Sequence, residues 1–131
     1  MRYLLDANAI IGLLKDDRSS LARRARHEQL DDLATSSIVV HELFFGAFKS
    51  HRPTPNLAVF DALRFPVIEF DREDARHAGL VRAELAARGT PIVPYDVLIA
   101  GQALSRGLTL ITRNTREFGR VPGLRIEDWE A

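Results

Sequence analysis

The sequence predicts an α/β protein built on an open, mostly parallel sheet of four to five strands. Short apolar runs typical of buried strands alternate with longer segments in which apolar residues recur at helical spacing. This alternation favours parallel strands joined by helical crossovers. Ligands of such sheets bind beyond the carboxyl ends of the strands. Polar residues directly after the predicted strands are therefore the first candidates for a functional site.

Two strands and three helices are predicted before Pro53. In chain order they are a strand at 3–5, a helix around 10–14, a surface helix at 18–32, a strand at 33–35 and a helix at 38–48. β-branched residues at 38–40 favour a strand by propensity, and the helix is predicted against that local preference. Ser36 or Ser37 is placed to cap this helix, because a serine hydroxyl accepts a hydrogen bond from the first turn.

Three helices and up to three strands are predicted after Pro53. They are a helix at 57–63, a strand at 67–70, a helix from Asp71 to Gly89, a loop at 90–95, a helix at 97–106 ended by Gly107, a strand at 108–112 and a fifth strand at 124–129. The loop is predicted because two prolines interrupt it. The helix after Asp71 has the clearest signals, with acids in its first turn and an apolar stripe along it.

Length and composition limit the possible classes of protein. A chain of 131 residues that is 46% hydrophobic predicts one domain over residues 1–131. No apolar run approaches the roughly 20 residues of a membrane span, so a cytoplasmic location without membrane contact is expected. Cysteine is absent, and any bound metal must therefore have oxygen or imidazole ligands. Acidic and basic residues cancel, so net charge alone does not predict nucleic-acid binding.

Asp6 and Asp96 are acidic residues with apolar neighbours, each just before a predicted helix. Each has an ordinary explanation as the N-cap of that helix, which contributes about 1 kcal/mol. If the sheet brings both to one edge, two carboxylates about 5 Å apart repel by roughly 3 kcal/mol at an effective dielectric constant near 20. That repulsion favours a cation bound between them.

Glu42 lacks the capping explanation. It lies inside the apolar helix at 38–48, and no Lys or Arg lies within one helical turn of it. His41 is adjacent in sequence and points about 100° away around the helix. A carboxylate in apolar surroundings raises its pKa, pairs with a base or binds a cation, unless it stands exposed on a polar edge. Asp6, Glu42 and Asp96 are therefore predicted to bind one divalent metal ion.

Mg²⁺ is the predicted cofactor, with Mn²⁺ as a substitute, because hard cations take oxygen ligands. Zinc is disfavoured, since the four histidines show no pairing at ligand spacing. The segment after the fourth strand faces the same edge of the sheet. Its candidate residues are Thr112 and Asn114 for hydrogen bonds to a water or phosphate, Glu117 as an orienting carboxylate, and Arg113 and Arg116 for a nucleic-acid backbone. A solvated charged loop is the ordinary alternative.

Four motifs, taken together, resemble a known family. They are Leu-Asp-Ala-Asn at 5–8, the segment 37–46 with Glu42 inside it, Tyr-Asp-Val-Leu-Ile-Ala at 95–100, and 112–118 with Thr-Arg-Asn at its start and Glu-Phe at its end. Each motif is weak alone. Their order and spacing resemble PIN-domain ribonucleases, and more narrowly the VapC toxins of bacterial type II toxin–antitoxin pairs. The resemblance covers nearly the whole chain.

This resemblance implies a PIN-like three-layer α/β/α fold and an Mg²⁺-dependent endoribonuclease with Asp6, Glu42 and Asp96 as its acids. It also implies a VapB-type antitoxin, an RNA substrate, and a homodimer or a dimer of heterodimers. The ending at 121–129 and the segment 94–96 are similar to those of toxins that cut the anticodon loop of initiator tRNA, so a tRNA is the expected substrate. Asn114 stands where many PIN domains have an aspartate, and Glu117 competes for that fourth place, which leaves one or two metals open.

Three other functions are compatible with the residues. Asp6 after a strand also fits the nucleophile of an Mg²⁺-dependent phosphatase or phosphoacceptor domain, although neither Lys15 nor Lys49 is placed to assist it. A catalytically silent PIN module would bind RNA or protein without cleaving it. A metal-independent ribonuclease would use paired histidines and leave a cyclic phosphate.

Overall fold

Five parallel strands form one sheet in the computed structural model, which describes residues 1–130. The strands are β1 (Tyr3–Leu5), β2 (Leu33–Ser36), β3 (Val67–Ile68), β4 (Thr109–Ile111) and β5 (Ile126–Glu127), in the order β3-β2-β1-β4-β5. The predicted parallel sheet is confirmed. Ala131, the last residue of the range predicted as one domain, lies outside the described residues.

Seven α-helices and one short 3₁₀ helix accompany the sheet within residues 1–130. They are α1 (Ala7–Lys15), α2 (Ser20–Arg26), the 3₁₀ helix (Leu30–Asp32), α3 (Ser37–Lys49), α4 (Pro53–Asp61), α5 (Arg72–Ala87), α6 (Pro94–Arg106) and α7 (Thr115–Phe118). Sheet and helices form the predicted three-layer α/β/α arrangement. None of these helices has both the length and the apolar character that crossing a membrane requires.

β1 is the central strand, and the side of the sheet on which new strands are added changes at it. After β1 the chain adds β2 and β3 on one side, and later β4 and β5 on the other. The strand is buried along its length, and the N–H of Asp6 still donates to the carbonyl of Ile111 at 3.2 Å. Open α/β sheets bind their ligands at the carboxyl side of such a switch point. Asp6, the residue after β1, lies at that position.

Helix caps confirm two of the predicted helix starts. The hydroxyl of Ser36 accepts a hydrogen bond from the N–H of Ile38 at 2.9 Å, so α3 forms despite its β-branched first turn. Asp71 and Asp74 form a reciprocal capping box at the start of α5, with both hydrogen bonds at 2.9 Å. These caps supply partners for N–H groups that a helix start leaves unpaired.

Several predicted boundaries are wrong. The surface helix predicted at 18–32 ends at Arg26, the helix predicted at 57–63 begins at Pro53, and the loop predicted at 90–95 ends before Pro94, the first residue of α6. Both prolines mislead for the same reason: proline fits the first position of a helix, where its missing N–H would have no partner. The strand predicted at 67–70 is two residues long, and the four-residue α7 was not predicted.

Gly101 permits a close contact between α5 and α6. A Cβ atom at Gly101 would lie 2.4 Å from the Cα of Ala78 on α5, nearer than any real side chain approaches a backbone. Because α6 carries Asp96 in its first turn, this packing helps to fix the position of that carboxylate relative to the sheet.

Gly101→Ala is expected to lower the free energy of unfolding by about 1–3 kcal/mol or more, since the added methyl group must push the two helices apart. Gly79→Ala on α5 is the matched control, because the space around Gly79 is open and alanine is the better helix former. Urea denaturation of both variants measures the difference. Parent-like stability of Gly101→Ala would contradict the close packing.

Candidate metal and active site

A small acidic cavity lies at the carboxyl end of β1. Its volume is about 90 Å³, and it is lined by Asp6, Ala7, Asn8, Glu42, Asp96, Ile99, Asn114 and Phe118. Three different elements therefore bring the three predicted acids to one place. A larger cavity of about 490 Å³ lies between α2 and the residues after α4, but its walls are mostly apolar. The chemistry of the lining, rather than its size, identifies the smaller cavity as the candidate site.

Asp6 both caps a helix and lines this cavity. One carboxylate oxygen accepts a hydrogen bond from the N–H of Ala9 at 2.8 Å, and the residue is only 7% exposed. Burial raises the pKa of Asp6, although hydrogen bonds from Thr112 and from the N–H groups of Ala9 and Asn8 act in the opposite direction. The capping explanation is correct for Asp6, and it does not remove Asp6 from the cavity.

The capping explanation is wrong for Asp96. Val93 occupies the N-cap position of α6, and Asp96 lies three residues further on, inside the first turn. Burial raises the pKa of Asp96 to about 7, with further contributions from the negative charges of Glu117, Glu42 and Asp6. A carboxyl group surrounded by three other carboxylates is a site where a cation is favoured.

Glu42 is half-buried in the middle of α3, and its Oε1 atom is buried without a hydrogen-bond partner. Burial raises the pKa of Glu42; the nearby charge of His41 lowers it, and that of Asp6 raises it. A buried carboxylate oxygen without a partner is costly in a folded protein. This oxygen is the strongest single sign in the structure that a positively charged group belongs in the cavity.

The donor set fits a hard divalent cation, because it consists of carboxylate oxygens with two amides, Asn8 and Asn114, nearby. As the side chains stand, no three His, Asp or Glu side chains in residues 1–130 are close enough to hold a metal ion. Mutual repulsion favours such a spacing when no cation lies between carboxylates. Coordination therefore requires side-chain movement, for which the unpaired Glu42 has no hydrogen bond at Oε1 to break.

Glu117 is held at the edge of the cavity by two hydrogen bonds. Its Oε1 accepts from the N–H of Val93 at 2.7 Å, and its Oε2 accepts from the side-chain amide of Asn114 at 2.5 Å. The N–H of Asn114 donates to the hydroxyl of the buried Thr112 at 3.0 Å. Asn114 thus lines the cavity, whereas Glu117 ties α7 to the start of α6. The sequence leaves Asn114 and Glu117 as alternatives for the fourth acidic position, and both stay candidates.

The two predicted arginines differ in their surroundings. The Nε of Arg113 lies 3.3 Å from a carboxylate oxygen of Glu130, so this side chain already has an acidic partner. Arg116 is exposed and lines a cavity of about 280 Å³, together with Asn114, Glu117 and Arg120. Because Asn114 lines both cavities, the arginine-containing cavity adjoins the acidic one. Arg116 therefore lines a cavity that adjoins the acidic one, whereas Arg113 is paired with Glu130.

Asn8 and Arg120 are residues near the site that had no predicted role, although Asn8 stands in the motif at 5–8. Asn8 lines the acidic cavity, and its position two residues after Asp6 was an available signal. Arg120 donates a hydrogen bond to the carbonyl of Pro91 at 3.3 Å. Its place depends on how the loop before α6 folds against α7, and the sequence carries no signal for that contact.

Comparison with known proteins decides the family. A family model described as PIN domain matches residues 3–124. The tRNA(fMet)-specific endonuclease VapC of Salmonella typhimurium is 44% identical over 131 residues, and the match covers 98% of both chains. The chain belongs to the VapC group of the PIN-domain family. Its relatives in this group are named as RNA-cleaving enzymes.

The VapC-type fold also matches solved complexes. DNA-bound VapBC from Salmonella typhimurium matches with a TM-score of 0.92 and 44% identity over 98% of each chain. VapBC2 from Rickettsia felis, bound to a DNA fragment from its promoter, matches with a TM-score of 0.89 and 32% identity over 98% of this chain and 99% of that one. PIN-domain ribonucleases generally depend on a divalent metal, which agrees with the carboxylate oxygens that line the cavity.

The raised pKa of Asp96 predicts a pH-dependent stability in chelator. The folded protein retains a proton at Asp96 up to about pH 7, whereas the unfolded chain releases it near its ordinary value of 3.8. The free energy of unfolding is therefore expected to fall as the pH rises from about 4 to about 7 and to level off above that. Thermal denaturation in chelator measures this, and Asp96→Asn should flatten the profile. A flat profile for the parent protein in chelator would contradict the account of Asp96.

Proposed function

We propose that this protein is an Mg²⁺-dependent endoribonuclease and the toxin of a toxin–antitoxin pair. One observation carries the proposal: Asp6, Glu42 and Asp96 line a single cavity at the switch point of the sheet, and one oxygen of Glu42 is buried there without a partner. Mg²⁺ is the proposed metal because it binds through one or two carboxylates, with waters completing its shell. Mn²⁺ is the proposed substitute.

The three acids have separate tasks in this mechanism. Asp6 is fixed by its cap and Asp96 by the first turn of α6, so both present carboxylates in set positions. Glu42, whose Oε1 has no hydrogen-bond partner, would complete the set of three carboxylates that hold the metal ion. The chemistry that a divalent cation would supply there is a lowered pKa of a water molecule and a positive charge that would offset charge on the phosphate and the leaving oxygen. Asn114, on the wall of the same cavity, hydrogen-bonds a phosphate oxygen.

The proposed substrate is initiator tRNA, cut in its anticodon loop. The relative from Salmonella typhimurium is named as specific for tRNA(fMet), and it is 44% identical to this chain over almost its whole length. Purified protein, incubated in Mg²⁺ with initiator and elongator methionine tRNA, is expected to cut the initiator alone. Equal cutting of both tRNAs would remove the substrate proposal and leave the ribonuclease intact. Absence of any RNA cleavage in Mg²⁺ or Mn²⁺ would favour the silent module.

The proposal extends to partners and organisation. Both solved VapBC neighbours described above contain an antitoxin, and a VapB-type antitoxin is the proposed partner of this chain. A homodimer or a dimer of heterodimers stays a prediction, which light scattering of the toxin and of the complex measures. Residues 1–131 are proposed to form one PIN domain acting on RNA in the cytoplasm, since one apolar core runs through the described elements.

Arg116→Ala is expected to weaken RNA binding and to reduce the slope of log affinity against log salt concentration by about 1, because one phosphate contact is lost. Arg113→Ala is the matched control, since Arg113 is paired with Glu130 and should change the slope less. Filter binding over a salt series measures both slopes. A larger change in slope for Arg113→Ala than for Arg116→Ala would assign the phosphate contact to Arg113 instead.

A further inference from the structure

Two aromatic rings, one on each of two helices, lie against each other, and each belongs to the residue that precedes an acid of the cavity. The rings of His41 on α3 and Tyr95 on α6 lie 4.9 Å apart and are tilted by 60°. His41 directly precedes Glu42, and Tyr95 directly precedes Asp96. Both rings are exposed, with 49% of Tyr95 accessible to solvent. The pair therefore joins α3 and α6, the two helices that carry Glu42 and Asp96.

The His41 ring is held in a fixed orientation. Its Nδ1 lies 3.2 Å from the carbonyl oxygen of Ile38, one turn earlier in α3. Because a carbonyl only accepts hydrogen bonds, Nδ1 carries the proton of this bond. The ring therefore cannot rotate freely, and Tyr95 packs against a preset partner. A preset aromatic surface loses little conformational entropy when a planar ligand stacks on it.

Space for a planar ligand lies beside Tyr95. A cavity of about 280 Å³, with mostly apolar walls, includes Tyr95, Pro94 and the side chain of Arg82. Apolar walls with one guanidinium suit a nucleobase attached to a phosphate, since bases stack on aromatic rings and arginine binds phosphate. A carboxylate-lined cavity cannot hold a base by itself. The neighbouring aromatic surface supplies that missing element.

We propose that His41 and Tyr95 form a stacking platform for the nucleobase beside the scissile phosphate. This inference rests on the proposed cleavage of RNA. Single-stranded RNA is recognised through unstacked bases that lie on aromatic side chains, and each stack contributes about 1–3 kcal/mol. The platform places one base of a loop so that the adjacent phosphate reaches Asp6, Glu42 and Asp96. Tyr95 is the anchor for the base, and His41 supports its ring.

The test measures whether the effect of removing the Tyr95 ring depends on one particular base of the RNA loop. All proteins carry Asp6→Asn, which prevents cleavage and retains a capping side chain. Fluorescence anisotropy measures binding to the anticodon stem-loop of initiator tRNA, intact and with each loop base removed in turn. Tyr95→Ala is expected to weaken binding to intact RNA by about 5- to 150-fold, and Tyr95→Phe by less than about twofold. At one abasic position, Tyr95→Ala should have no further effect.

Phe48→Ala is the matched control, because Phe48 is another exposed aromatic residue and does not line the cavity beside Tyr95. It should bind RNA like the parent. The proposal of a stacking platform is wrong if Tyr95→Ala binds intact RNA normally. It is also wrong if Tyr95→Ala lowers the RNA affinity by the same factor whichever loop base is removed. It is also wrong if Tyr95→Ala binds RNA normally and loses only the antitoxin, since the rings would then serve a protein contact.

Failure of the proposed ribonuclease activity can be told apart from failure of the platform. Coupling between Tyr95 and one base, together with no cleavage by the protein without Asp6→Asn, would retain the platform and remove the catalytic proposal. Normal cleavage without any coupling would remove the platform alone. In the cleaving protein, Tyr95→Ala is expected to raise KM and to leave kcat nearly unchanged, because stacking acts equally in the ground state and the transition state.

Discussion

Asp6→Asn, Glu42→Gln and Asp96→Asn are each expected to lower kcat/KM for RNA cleavage by about a thousand-fold or more. This corresponds to about 4 kcal/mol of lost transition-state stabilisation, which is the size expected when an electrostatic catalytic group is removed. Each change is isosteric and removes one negative charge from the cavity. Gel-based cleavage under single-turnover conditions measures the loss, and isothermal titration measures the accompanying loss of Mg²⁺ binding.

Asp6 allows its two tasks to be separated. Asn is as good an N-cap as Asp, so Asp6→Asn should retain the stability of the parent while losing activity. Asp6→Ala should lose the same activity and, in addition, about 1 kcal/mol of unfolding free energy, because the N–H of Ala9 then lacks its acceptor. Retained cleavage by Asp6→Asn would show that Asp6 is only a cap and remove it from the site.

Arg106→Ala is expected to lower the free energy of unfolding by about 3 kcal/mol. Its guanidinium lies 3.1 Å from a carboxylate oxygen of Asp74, which is fully buried, and 3.3 Å from Asp71. Breaking a buried ion pair leaves an uncompensated charge, which costs about 3–5 kcal/mol. We expect a loss at the lower end of this range because the side chain of Arg106 is 33% exposed and water can reach the ion pair.

The pKa of Asp74 supports this expectation. Burial alone raises it, but the hydrogen bonds from Arg106 and from the N–H of Asp71, with further help from Gln102, bring it below its ordinary value. Arg76→Ala is the matched control, since Arg76 is an exposed arginine on α5, the helix that carries Asp74. Urea denaturation at neutral pH compares the two variants. If Arg106→Ala is no less stable than Arg76→Ala, the ion pair does not hold α6 against α5.

The sequence predicted the central features of the site for identifiable reasons. The strand before Asp6 and the alternation of elements predict a carboxylate at the sheet edge, and this is where the cavity lies. Glu42 was the sharpest local signal, because a carboxylate inside an apolar helix has few ordinary explanations. The unpaired Oε1 of Glu42 agrees with that argument. Family resemblance supplied the RNA-cleaving activity, which neither periodicity nor charge predicts.

What the sequence did not predict depends on contacts between distant segments. The start of α6 at Pro94 differs from the predicted loop because proline, common in loops, also fits the first position of a helix, and this start places Asp96 inside the first turn. The bond from the N–H of Val93 to Glu117 joins residues 24 positions apart. The buried pairing of Asp74 with Arg106 spans 32 positions. Local patterns carry no information on such pairs, and only the packed structure shows them.

The chemistry at the acidic cavity is tested most directly by mapping the ends of the cleaved RNA with and without chelator. Water activated at the site formed by Asp6, Glu42 and Asp96 is expected to leave a 5′-phosphate, and cleavage should stop in chelator and resume with added Mg²⁺. A 2′,3′-cyclic phosphate formed equally well in chelator would show attack by the RNA's own 2′-hydroxyl. That result would contradict the assignment of these three acids as a metal-dependent catalytic site.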